Sequence, residues 1–148
     1  MKKGVFVINE IKAVDFNLSS ARIIDCRTFF FYNRVMRNIA KKSNTLDILN
    51  KYHLTAAKKY GQNFLVDPNI IEKIASCAPI TKDTYVIEIG PGIGALTEAL
   101  ALRAKKVICF EIDERLKPVL ADTLADYDNV EIIFEDFMKA DLDGLVTS

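Results

Sequence analysis

After residue 83, short continuous apolar runs alternate with segments in which the apolar residues have helical spacing. Three short, nearly continuous apolar runs predict strands: TYVIEI (84–89), KVICFEI (106–112) and VEIIF (130–134). Such continuity is typical of a parallel sheet that is covered on both faces. Between the runs, GALTEALALRA (94–104) and a segment from Asp113 to about Tyr127 carry helical spacing. Asp113 can cap the second helix, and Pro118 can either kink this helix or delay its start.

This regular alternation predicts an α/β fold. Strand, helix, strand, helix, strand at this spacing is half of a doubly wound, Rossmann-like domain. Right-handed crossovers place the three parallel strands in spatial order 3-2-1. We therefore expect strand 84–89 to lie at an edge of the sheet, unpaired on the side where a fourth strand would dock. An apolar open edge of this kind favours aggregation.

Two shorter helices are predicted ahead of the sheet. Asp67 followed by Pro68 predicts a helix start, an N-cap and then proline at the first helical position, and Pro79 ends the segment. The predicted buried face of this helix comprises Ile70, Ile71, Ile74 and Ala75. Upstream, Asn44 or Thr45 can cap another helix. Its predicted inner face comprises Leu46, Leu49 and Tyr52 or His53.

Composition narrows the class of protein. The 148 residues, half of them apolar, fit one globular domain. Three cysteines far apart, with no CxxC pair, indicate thiols in a reducing cytosol. No apolar run reaches the ~20 residues of a membrane helix. The single histidine, His53, has no ligand-spaced Cys, Asp or Glu, so we expect no metal site.

The net charge of zero hides an uneven distribution. Residues 1–60 contain twelve Lys or Arg against four Asp or Glu, whereas residues 61–148 contain eight against sixteen. A basic arm ahead of an acidic domain favours a polyanionic partner such as nucleic acid. We divide the chain into an N-terminal extension (1–35), a basic arm with a short helix (36–60) and a partial domain (61–148). Residues 1–35 are either an additional packed element or an extension that the domain does not need. The second alternative fits a translation start at Met36.

The glycine loop after the first strand is the main candidate binding element. Gly90, Gly92 and Ala95 satisfy the G-x-G-x-x-A fingerprint of dinucleotide sites. Glu111, 21 residues after Gly90, closes the second strand and can accept from ribose hydroxyls. Asp136 follows the third strand, where it can accept from the exocyclic amine of an adenine or cap the next turn.

Glu88, two residues before the loop, favours one class of cofactor. A carboxylate is repelled by a pyrophosphate in a partly desolvated loop. It suits the ammonium or the sulfonium of S-adenosylmethionine. The structural alternative is that Glu88 points at the start of the following helix. An NAD-dependent oxidoreductase, supported by the glycine fingerprint, is the alternative function.

Four stretches closely resemble the small-subunit ribosomal RNA adenine N6-dimethyltransferase family: GQNFLVD (61–67), VIEIGPGIGALTEAL (86–100), FEIDERL (110–116) and FEDFMKADL (134–142). GQNFL is the discriminating stretch, since generic methyltransferases have the glycine loop without it, whereas the related erythromycin-resistance methyltransferases of large-subunit RNA share these motifs. The resemblance runs from about Met36 to the end of the chain. It implies S-adenosylmethionine as cofactor. The implied contacts are Asn63, Leu65, Gly90, Glu111 and Asp136, with Glu88 and Gly92 as further candidates.

The resemblance also implies a substrate and a setting. The family transfers methyl groups from the sulfonium to adenine amines of small-subunit ribosomal RNA in the cytoplasm, with the immature small subunit as partner. Lys58 and Lys59 would then lie along the RNA backbone, where phosphate contacts position the substrate without specifying sequence. A solvated surface pair is the alternative for these lysines.

One family element is missing from the 148 residues. The family's catalytic loop, an Asn-Leu-Pro-Tyr-like tetrapeptide that clamps the target adenine, does not occur. We therefore expect this stretch of sequence to hold the cofactor site without catalytic residues, and to transfer no methyl group by itself. A non-catalytic remnant is the second alternative function.

Overall fold

Four strands form one sheet in the computed structural model, which describes residues 4–8, 39, 41–54, 64 and 67–140. The strands are β1 (Gly4–Ile8), β2 (Tyr85–Ile89), β3 (Lys106–Phe110) and β4 (Val130–Ile133), and their spatial order is β1-β2-β3-β4. β2, β3 and β4 are parallel. The three predicted strands and their 3-2-1 order are confirmed.

The edge of β2 differs from the prediction. Residues 4–8 form β1, which pairs antiparallel with β2 from Gly4 opposite Ile89 to Ile8 opposite Tyr85. The expectation of an unpaired edge at 84–89 is therefore wrong. The physical reason is that a segment far away in sequence supplies the missing partner, which no local pattern around β2 reveals.

The described residues also form four α-helices and two 3₁₀ turns. The α-helices are α1 (Lys42–Lys51), α2 (Pro68–Ala75), α3 (Ala95–Ala101) and α4 (Lys117–Thr123), and the 3₁₀ turns are Glu114–Leu116 and Phe137–Lys139. Asp67 caps α2, since its Oδ1 accepts from the amide of Asn69 at 2.9 Å. Asp113 caps the first 3₁₀ turn, and the α-helix that contains Pro118 begins only after it. The predicted delay is confirmed, although α4 ends four residues before Tyr127.

Two predicted buried positions are exposed. Ile70 on α2 is 47% exposed and Leu46 on α1 is 49% exposed. α1 begins at Lys42, two residues ahead of the predicted cap at Asn44, and this moves Thr45 into the interior. His53 follows α1 in a left-handed conformation (φ 50°) and lies outside the helix.

The core lies mainly on one face of the sheet. Side chains alternate across the strands, so Val86, Val107 and Cys109 pack with α2, α3 and α4. The other face carries a smaller cluster around Ile87, Ile108 and Phe110. There Phe110 meets Phe137 edge to face, with ring centroids 5.2 Å apart.

Ile39 of the basic arm is bound to this core through one buried carboxylate, that of Glu98. Ile39, 1% exposed, donates its amide to Glu98 Oε2 at 3.1 Å. Tyr127 donates its hydroxyl to the other oxygen, Glu98 Oε1, at 2.9 Å. Thr45 donates to the carbonyl of Ile39 at 2.7 Å. On the surface, the Lys51 ammonium lies 2.6 Å from Asp122, and this contact raises the pKa of Lys51.

Candidate cofactor-binding site

The candidate site lies at the carboxyl ends of the three parallel strands. The loop 90–94 joins β2 to α3, and the amide of Gly90 donates to the carbonyl of Phe110 at 2.8 Å, which ties the loop to the end of β3. Gly94 is the N-cap of α3 at φ 90°, and a Cβ there would meet Leu124 at 3.1 Å. Glycine is therefore required at Gly94 both by backbone conformation and by the close approach of α4.

Glu111 connects the loop to the second strand end. The residue is 3% exposed and follows β3 directly. Its Oε2 accepts from the amide of Gly92 at 3.2 Å, and its Oε1 accepts from the amides of Ile112 and Asp113, both at 2.9 Å. These three bonds fix the carboxylate against the glycine loop. A carboxylate has about four acceptor positions, so about one remains for a hydroxyl donor from a ligand.

Asp113 and Arg115 stabilise the turn after Glu111, and the sequence prediction did not include this pair. The Asp113 carboxylate accepts from Arg115 Nε at 2.8 Å and from Nη2 at 2.6 Å. Asp113 is 3% exposed, and planar bidentate pairing of this kind is geometrically specific. The sequence signal for this ion pair was the two-residue spacing of Asp113 and Arg115 within FEIDERL.

Asp136 stands at the third strand end. The amide of Glu111 donates to the carbonyl of Ile133 at 3.0 Å, so β3 and β4 end side by side. Asp136 follows three residues later and is half-buried. Its Oδ1 accepts from the amide of Met138 at 3.1 Å, which is the turn-capping role named as the alternative.

Glu88 lies in the interior beneath α3. It is 3% exposed, and its Oε2 accepts from the hydroxyl of Thr97 at 2.7 Å. The thiol of Cys109 lies 3.8 Å from the same oxygen. Burial raises the pKa of the Cys109 thiol well above its usual value, and the charge of Glu88 raises it further. Glu88 therefore sits on the helix-covered face of the sheet, in contact with the first turn of α3, and Thr97 is a partner that the sequence prediction did not include.

Four predicted binding residues lie outside the described part of the chain: Asn63, Leu65, Lys58 and Lys59. Within GQNFL only Phe64 is described, and it packs against the main core as a half-buried side chain. Among the described residues no cluster of three or more His, Cys, Asp or Glu could hold a metal ion. No helix in the described ranges is long and apolar enough to span a membrane.

A glycine loop bound to an acidic residue at the next strand end defines a Rossmann-like site for a nucleotide-bearing cofactor. The family model described as ribosomal RNA adenine dimethylase matches residues 53–148. The chain therefore belongs to the ribosomal RNA adenine dimethylase family, as its motifs predicted.

Individual relatives agree with this assignment. The ribosomal RNA small subunit methyltransferase A of Geobacillus thermodenitrificans is 57% identical over 110 residues, which are 74% of this chain and 38% of the relative. The protein of the same name from Streptococcus equi subsp. zooepidemicus is 60% identical over 104 residues, 70% of this chain and 36% of the relative. The chain thus spans less than two fifths of these relatives.

A solved structure supports the fold as well. The crystal structure of 23S rRNA methyltransferase ErmE matches with a TM-score of 0.51 and 43% identity, covering 53% of this chain and 32% of that one. This identity makes the likeness more than a shared architecture. Membership of a methyltransferase family also argues against the alternative of an NAD-dependent oxidoreductase.

Proposed function

We propose that the chain forms the S-adenosylmethionine-binding part of an enzyme that dimethylates adenine N6 in small-subunit ribosomal RNA. Family membership supports the reaction, and the name shared by the relatives supports the small subunit as substrate. The cytoplasm is the proposed setting, with immature small subunits as the partner. No metal takes part in this proposal, because positioning of the methyl donor and the amine would supply most of the rate.

The contact between Glu111 and the glycine loop is the observation that carries the proposal. A carboxylate held by the amides of Gly92, Ile112 and Asp113 would present its remaining lone pair to a ribose hydroxyl beside the loop. The sulfonium of the bound cofactor supplies the methyl group that is transferred.

The other site residues receive proposed roles around that anchor. Gly90 and Gly92 let the backbone approach the cofactor closely. Asp136, with one oxygen engaged by Met138, would accept from the adenine amine with the other. Glu88 would act on the cationic end of the cofactor through its charge beneath the loop. Family resemblance alone assigns Asn63 and Leu65 to the cofactor.

Calorimetric titration of S-adenosylhomocysteine and of NAD separates the two cofactor classes. We expect S-adenosylhomocysteine to bind and NAD to show no saturable heat. Glu111→Gln should weaken binding by about 10- to 150-fold, the value of a charged hydrogen bond of ~1.5–3 kcal/mol. Glu131→Gln is the matched control, because Glu131 is partly exposed on β4 and pairs with Lys106 at 2.7 Å. Tighter binding of NAD, or equal affinities of the two variants, contradicts the proposal.

The RNA-binding role of the basic arm has its own test. Lys58→Ala/Lys59→Ala should weaken binding to a small-subunit RNA fragment and reduce the slope of log K against log salt by ~1.4–1.8, since each phosphate contact contributes ~0.7–0.9. Lys105→Ala/Lys106→Ala removes the same charge at the start of β3, at the end of the sheet away from the glycine loop, and should leave the slope unchanged. If both pairs shift the slope equally, the effect is general electrostatics and the assignment fails.

A further inference from the structure

The strand β1 engages the whole length of the β2 edge. Each of its five residues faces one residue of β2, from Gly4 opposite Ile89 to Ile8 opposite Tyr85. β2 pairs in parallel with β3 on its other side. The described structure therefore leaves no edge of β2 open to another strand.

The position that β1 fills has a defined occupant in the doubly wound fold. In the strand order 3-2-1-4-5-6, strand 1 pairs on its second side with strand 4, and the two run parallel. β4, β3 and β2 occupy positions 3, 2 and 1. β1 therefore stands where strand 4 belongs, and it runs in the opposite direction.

The origin of β1 distinguishes it from the family's own strands. The family match covers residues 53–148, so β1 lies outside it. The relatives from Geobacillus thermodenitrificans and Streptococcus equi are matched over only 38% and 36% of their length. In the doubly wound order a fourth strand pairs with strand 1, and such a strand needs the same backbone groups of β2 that β1 uses.

We propose that β1 is an exchangeable edge strand, and that the occupant that displaces it from β2 is the parallel fourth strand of the family domain, whichever polypeptide carries that strand. β1 covers an apolar edge that would otherwise promote aggregation. Two features make it replaceable: it is antiparallel in an otherwise parallel sheet, and its pairing closes a long loop at an entropic cost.

Amide hydrogen exchange on the full chain tests whether β1 protects β2. Val5→Pro/Phe6→Pro removes two backbone donors from β1, and Val5→Ala/Phe6→Ala is the matched control that keeps them. We expect β2 amides to exchange about tenfold faster or more in the proline variant, with β3 protection unchanged. Equal exchange in the two variants overturns the proposal.

A binding experiment tests the occupant. The probe is the part of the Geobacillus thermodenitrificans relative that lies beyond the matched region, labelled with a fluorophore and titrated with each variant. Apparent affinity scales with the fraction of chains whose β2 edge is free, so we expect the proline variant to bind about tenfold more tightly than the alanine variant. Equal affinity, or no binding by either variant, overturns the proposal.

Two further measurements address self-association and loss of fold in the proline variant. Sedimentation velocity without the probe detects self-association, and a proline variant that dimerises yet does not bind the probe shows that a second copy takes the edge, which overturns the assigned occupant. Ile8→Pro, at the end of β1, is the milder variant if the double variant loses its circular dichroism signal. Compared with the alanine variant, Ile8→Pro should also exchange its β2 amides faster and bind the probe more tightly. Unchanged exchange of the β2 amides overturns the proposal.

Discussion

Replacement of Glu98 by alanine is expected to release the arm from the domain and to destabilise the fold. The Glu98 carboxylate, 1% exposed, is the acceptor for both the Ile39 amide and the Tyr127 hydroxyl. Alanine removes both acceptor oxygens while Ile39 itself stays in a buried position. The Ile39 amide is then either left in the interior without an acceptor or moves into water together with this part of the arm.

The magnitude follows from the two lost hydrogen bonds. A buried amide left without an acceptor costs about 1–3 kcal/mol, and loss of the bond from the half-buried Tyr127 hydroxyl costs about 0.5–1.5 kcal/mol. Their sum is about 1.5–4.5 kcal/mol, out of the ~5–15 kcal/mol by which a domain of this size is stable. Glu98→Gln should cost only about 1 kcal/mol, because its amide oxygen accepts from Ile39 and its NH₂ donates to the oxygen of Tyr127.

Urea unfolding followed by circular dichroism measures these differences. With a slope of ~2 kcal/mol per molar urea, Glu98→Ala should lower the midpoint by about 1–2 M. Glu114→Ala is the matched control, since Glu114 is an exposed glutamate whose Lys117 partner lies 3.5 Å away. We expect the control to change the free energy of unfolding by less than about 0.5 kcal/mol.

Exchange of single amides identifies the mechanism. If Glu98 holds the arm, the amide of Ile39 loses protection in Glu98→Ala while the amides of α3 keep theirs. The reasoning is refuted if Glu98→Ala unfolds at the same urea concentration as Glu114→Ala, or if Ile39 stays protected.

Three further changes test other parts of the structure. Asp67→Ala should lower the free energy of unfolding by about 1 kcal/mol in urea titration, with Asp67→Asn nearly neutral, because asparagine still accepts from the helix amide. Gly94→Ala should cost about 1–3 kcal/mol in the same assay, since the positive φ strains any L residue and the new methyl presses on Leu124; a stable variant would show that the loop adapts. Cys109 should react with iodoacetamide far more slowly than Cys77 at pH 8, because the pKa of the buried Cys109 thiol is raised and little of it is thiolate at this pH. Peptide mass spectrometry resolves the two sites, and equal rates would contradict the burial of Cys109.

The parallel part of the sheet was predictable because its signals are local. Each strand is a short apolar run bounded by loop residues, and the handedness of the crossovers leaves one order for three consecutive strands. The α2 cap was predictable for the same reason, since Asp67 and Pro68 specify a helix start by themselves. Glu111 could be placed because it follows the second run directly, at the sheet end where the glycine loop also lies.

The features that were missed depend on distant contacts. β1 exists through its pairing with a strand whose first residue, Tyr85, lies far along the chain, and GVFVI alone does not specify that partner. The register of α1 was misplaced for a related reason. Its inner face is set by Thr45 bonding to Ile39 and by Ile39 bonding to Glu98, so Leu46 turns outward although the local apolar spacing favoured it.

Glu88 and Glu111 differ in a way that strand geometry explains. Glu111 comes after the last paired residue of β3, so its side chain is free to turn toward the glycine loop. Glu88 is inside β2, where alternation puts it on the same face as Val86, against α3. On the proposed assignment, the two carboxylates near this loop would therefore act differently: Glu111 would touch the cofactor, whereas Glu88 would influence it only through its charge. Neutralising Glu88 should consequently weaken binding of the cationic S-adenosylmethionine more than binding of uncharged adenosine, while loss of Glu111 should weaken both.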